Sequence, residues 1–93
     1  MSQLPFNQAE DVVIRSIKRT SGQDAVPTDS LQDVGFPDPG SLNGLRNTIV
    51  HSAVGVQQDG FKISSADLAG ISSQSTVDDV AQIVMNKAVS QGT

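Results

Sequence analysis

A chain of 93 residues, 37% hydrophobic and without cysteine, is long enough for one domain with a modest core and excludes both a disulfide framework and a thiol nucleophile. Its formal charge of -4 and only six scattered Lys and Arg residues argue against nucleic acid, whose phosphates need clustered positive charge. No apolar run approaches the roughly 18 residues of a membrane helix, and the N-terminus lacks a basic-then-apolar signal pattern, so a soluble cytoplasmic protein without membrane insertion is expected. The ordered core of the single domain is expected over about residues 6–90.

In chain order, Asn7 and Glu10 stand in an N-cap arrangement, and Ala9, Val12, Val13, Ile14 and Ile17 supply an apolar face. They predict a first helix from about Asn7 to Thr20. Arg15, Lys18 and Arg19 gather in its second half, where positive charge suits the negative end of the helix dipole. Ser21 to Gly40 is a connection of about twenty residues with three prolines and three glycines, longer than structureless loops in compact domains usually are. Val26, Leu31, Val34 and Phe36 are expected to anchor it over the core, with one helical turn at Ser30 to Val34.

The central stretch runs from Leu31 to Ala53. Leu42, Leu45, Ile49, Val50 and Ala53 recur every three or four positions and fall on one face of a helix about three turns long. That helix should begin at or just after Ser41, with Pro37 and Pro39 outside it because each lacks an N–H and biases the residue before it towards extended conformations. A serine hydroxyl is then held at a helix N-terminus beside free backbone N–H groups, where a phosphate is electrostatically welcome.

Beyond it, Gly55 is a stop signal, and Gln57 to Gly60 make a polar turn before Phe61 and Ile63. Ser64 or Ser65 can cap a short helical piece through Ala66, Leu68 and Ala69, ended by Gly70. Ser75 and Asp78 imitate a capping box, after which Val77, Val80, Ala81, Val84 and Ala88 define a last amphipathic helix to about Val89. No segment alternates long enough for a strand, so the expected class is all-α, with three substantial helices and one short one.

These residues carry a resemblance. Ser30-Leu31-Gln32-Asp33-Val34-Gly35-Phe36, then Gly40-Ser41-Leu42, then Gly70-Ile71 and Ser75-Thr76-Val77-Asp78-Asp79-Val80 resemble, in that order, the motifs of the acyl carrier proteins. The resemblance covers nearly the whole chain and implies a four-helix bundle, monomeric, with Ser41 at the start of its second long helix. It implies 4'-phosphopantetheine, donated by coenzyme A and attached to Ser41 by a phosphopantetheinyl transferase. Acyl or aminoacyl groups would ride on the cofactor thiol as thioesters between acyl-activating or acyl-transferring enzymes of a specialised, fatty acid- or polyketide-like pathway. The protein itself would be a non-catalytic carrier. Gly40 stands where the family has an aspartate, and Pro37, Asp38 and Pro39 lengthen the loop.

The resemblance places Gly40, Leu42, Arg46 and His51 on the partner-binding face. Many carriers present an acidic second helix to basic enzymes, whereas this one offers Asn43, Arg46, Asn47 and His51, so such enzymes should bind it poorly. A literal Asp29-Ser30-Leu31 is a rival attachment site, rejected because Gly35, Pro37 and Pro39 prevent a long helix from starting there. His51 follows Ser41 by ten residues, about 15 Å along a helix, too far to serve it as a base. One His and no Cys leave no recognisable metal site. An unmodified carrier-fold protein that acts as a protein–protein interaction module is the alternative function.

Overall fold

The computed structural model describes residues 4–51 and 60–90, and the fold over them is mostly helical. The expected positions of Ala53, the Gly55 stop and most of the polar turn before Gly60 lie outside the described residues. The first helix, α1, spans Phe6–Ser21 and buries Ala9, Val12, Val13, Ser16 and Ile17 along one face. It starts ahead of Asn7, which lies inside the first turn and caps nothing. Extended Pro5 is the N-cap residue, without a side-chain cap, and its carbonyl accepts the Ala9 N–H at 2.9 Å. Apolar burial sets this start, because Leu4 is fully buried just before Pro5 and Phe6 packs on the core. At the other end Gly22 takes the left-handed conformation (φ 78°) and closes the helix on the Lys18 carbonyl.

The long connection after α1 is not structureless. Leu31–Val34 form a 3-10 turn with Leu31 and Val34 buried, and Phe36 is 1% exposed. Ala25 is the residue that tucks under the early loop, whereas Val26, expected as an anchor, is 52% exposed. Backbone hydrogen bonds lace the loop to the segment before the last helix: Leu31 N–H to Ser75 O, Gln32 N–H to Ser73 O, Val77 N–H to Asp29 O and Asp78 N–H to Pro27 O. Their pairing satisfies loop groups that would otherwise need water, and it explains how so long a connection stays over a core. Gly35 turns the chain at φ 104°, where an added Cβ would also come within 2.9 Å of the Ser21 Cβ.

The second helix, α2, spans Pro39–His51 and buries Leu42, Leu45, Ile49 and Val50. It crosses α1 closely at Gly44 and Thr48, where the Thr20 hydroxyl donates to Thr48 Oγ1 at 2.8 Å. A Cβ on Gly44 would meet only Thr20 Cγ2, at an ordinary 3.8 Å. Gly44→Ala should therefore keep the crossing and stabilise the fold by up to about 1 kcal/mol, read from chemical denaturation.

Beyond residue 60, Phe61–Lys62 (β1) pair antiparallel with Val89–Ser90 (β2). Val89, expected at the end of the last helix, is thus a strand residue, since that helix, α3, stops at Lys87 and Ala88 is extended. A second 3-10 turn, Ser65–Leu68, is capped by Ser64 with Asp67 in a reciprocal box. Val77–Lys87 form α3, boxed by Thr76 and Asp79. The box falls one residue later than Ser75 and Asp78 would place it. Ser75 is used elsewhere: its hydroxyl accepts the Ser72 N–H and its carbonyl the Leu31 N–H. Helix α1 packs on both α3 and α2, and the second 3-10 turn packs on both α2 and α3. Among the described residues, no helix is long and apolar enough to cross a membrane.

Candidate functional site

The site grows from the junction between the long loop and α2. Buried Phe36 pins the chain, and Pro37 and Asp38 then lead into the helix. Asp38, not Ser41, caps it. The Ser41 N–H donates to Asp38 Oδ1 at 2.9 Å, the Asp38 N–H donates to Ser41 Oγ at 3.3 Å, and the Ser41 hydroxyl donates to the Asp38 carbonyl at 2.9 Å. The first helical bond runs from Leu42 N–H to the same carbonyl at 3.1 Å. Pro39, expected outside the helix, is its first residue, because a first-turn N–H has no helical acceptor and the proline φ already suits the helix. Ser41 is therefore the third helical residue, half-buried, with Asp38 folded back over it. The N–H of Ser41, expected to be free for an anion, is already taken.

Those bonds shape the charge of the site. The Ser41 backbone N–H, its side chain and the Gly40 N–H hold the Asp38 carboxyl below the usual carboxylate range. A depressed folded value means that Asp38 contributes stability above its unfolded pKa of about 3.9 and loses it as pH falls through the lower folded value. Asp38→Ala should accordingly lower the melting temperature at neutral pH, and the gap to wild type should close on acidification below about pH 4. A gap that stayed constant through that range would show that the carboxylate charge has no part in the cap.

Gly40 is exposed, and a Cβ there would meet Asp38 Oδ1 at 3.5 Å, an ordinary contact. Leu42, expected on the partner face, is buried in the core at 6% exposure. His51 is exposed at the last residue of α2. Arg46 turns towards the second 3-10 turn: Nε donates to Leu68 O at 3.0 Å and Nη2 to Ile71 O at 3.5 Å. Gly40, Ser41 and Asp38 thus share one turn, while Arg46 and His51 lie further along the helix.

Ser30 is built into a different feature. Its backbone bridges to Thr76, its hydroxyl donates to Asp33 Oδ2 at 2.9 Å, and only the 3-10 turn comes after it. The capping role of Asp38 is the feature that apolar spacing misses. Asp38-Pro39-Gly40-Ser41 carries the signal for it, a capping aspartate followed by proline at the first helical position. Chemically the site presents a serine hydroxyl whose hydrogen-bond partners are the backbone groups of Asp38. Among the described residues, no three His, Asp or Glu side chains gather to hold a metal ion. No protein-family model, curated protein or solved structure matches the chain.

Proposed function

We propose that the chain is an acyl-carrier-like protein with Ser41 as the attachment point for 4'-phosphopantetheine, the second 3-10 turn standing as the short helix of a four-helix bundle. The observation that carries the reading is the seat of Ser41: a half-buried serine in the first turn of α2, directly after a long loop tied down on α3. Asp38 Oδ1, 2.9 Å from the Ser41 nitrogen, supports it further, because it supplies beside the serine the carboxylate that Gly40 lacks. When attached, the group would bring the thiol that carries acyl groups as thioesters.

For its part the chain would position Ser41 and leave activation to the transferase. The Ser41 hydroxyl has to release the Asp38 carbonyl to react, and an attached phosphodiester would lie beside the Asp38 carboxylate rather than on open N–H groups. The same closed set of bonds favours the second reading, an unmodified module in which Ser41 completes the cap. In the carrier reading the partners are a phosphopantetheinyl transferase and acyl-transferring or acyl-activating enzymes in the cytoplasm, and the protein serves them as cosubstrate without catalysing a reaction.

Intact mass after incubation with coenzyme A and a broad-specificity transferase tests this directly. Addition of one phosphopantetheine supports the carrier. An unchanged mass, with a known carrier converted in the same tube, selects the unmodified module.

A further inference from the structure

Arg46 carries an unused recognition edge. Arg46 is half-buried against the second 3-10 turn, and its hydrogen bonds among the described residues go to two neutral carbonyls, Leu68 O through Nε and Ile71 O through Nη2. Neither ion pair found among the described residues, Arg15 with Asp11 or Lys18 with Asp24, involves it. Two of the five N–H donors of a guanidinium are thereby spent on one side, and three are left over, among them the pair at its tip, one on each Nη. That tip has the geometry that takes a carboxylate through two parallel hydrogen bonds. A partly desolvated cation gains from an anion delivered there more than a fully hydrated one would.

The surroundings fit such a ligand. Arg46 lines an open depression of about 320 Å³ between α2 and the turn, together with Asn43, Ser65, Ala66 and Ala69. Asn43 and Ser65 can add a carboxamide and a hydroxyl to the recognition of an anion, while the two alanine methyls offer apolar contact to a short hydrocarbon body. We propose that this depression binds a small organic carboxylate, with Arg46 as the anchor. One cation in a protein of net charge -4 suits a monoanion better than a phosphate dianion. The site is independent of any modification at Ser41.

Titration of the unmodified protein with butyrate, butyramide and inorganic phosphate at constant ionic strength, followed by amide nuclear magnetic resonance, tests it. Butyrate should shift the amides of Asn43, Ser65, Ala66 and Ala69 saturably, and butyramide should bind at least about tenfold more weakly because it lacks the charge. Arg46→Gln should abolish the butyrate response. Because Arg46 also ties down the turn, Ser65→Asp gives a second reading: it sets a carboxylate within the depression and should block butyrate while raising the melting temperature. Equal responses to butyrate and butyramide, the absence of saturable shifts, or a butyrate response that survives Ser65→Asp would overturn the site. Tighter binding of phosphate than of butyrate would overturn the ligand class.

Discussion

Ser41→Ala should abolish phosphopantetheine incorporation completely under conditions that load the wild type with one group, and Ser30→Ala should leave loading intact. The contrast rests on the segment behind each serine. Behind Ser41 runs α2 to His51, with Leu42, Leu45, Ile49 and Val50 holding it to the core, so the first turn belongs to a helix anchored along its length. Behind Ser30 lies a 3-10 turn of four residues, and Ser30 itself is bridged to Thr76. Gly40→Asp should speed loading, since a Cβ fits at that position and the change sets a second carboxylate, beside that of Asp38, directly before the serine, as in the acyl carrier proteins that the sequence resembles. Loading that persisted in Ser41→Ala would place the attachment elsewhere. Failure of both wild type and Gly40→Asp to load beside a converted control carrier would leave the unmodified module as the function.

The largest loss of stability is expected from the core face of α2. Leu45 and Ile49 are fully buried, and α2 packs on both α1 and the second 3-10 turn. Truncating either to Ala removes several methyl and methylene groups and leaves a cavity, a loss of about 2 to 5 kcal/mol in chemical denaturation. Val26→Ala is the internal control. Val26 is 52% exposed, so its truncation should stay within about 0.5 kcal/mol of wild type. Near-neutral values for both Leu45→Ala and Ile49→Ala would mean that the wrong face of α2 has been assigned to the core.

Sequence periodicity by itself determined that three amphipathic helices exist and most of the apolar residues they bury, though not buried Ser16, and it counted Ile14 and Ala88, which are only partly buried. Val12, Val13 and Ile17 on α1, Leu45 and Ile49 on α2, and Val80 and Val84 on α3 all lie in the core, because a repeat of three to four residues has only one way to hide its apolar side. It also rejected a long helix after Ser30, since proline and glycine act on their immediate neighbours. Helix ends were less legible. They depend on which of several nearby groups wins a hydrogen bond, and tertiary contacts settle that competition. Ser75 and Thr76 are both able caps, and the pairing of Leu31 N–H with Ser75 O gives the role to Thr76. Val89 continues the apolar spacing of α3, yet β1 supplies a backbone partner that draws it into a strand. Val26 and Ala25 are adjacent in a loop without periodicity, so only the path of the loop over α1 and α3 could choose Ala25 for burial. The orientation of Arg46 was beyond local reading for the same reason. Its acceptors, Leu68 O and Ile71 O, lie 22 and 25 residues away along the chain and meet it only when the second 3-10 turn packs on α2.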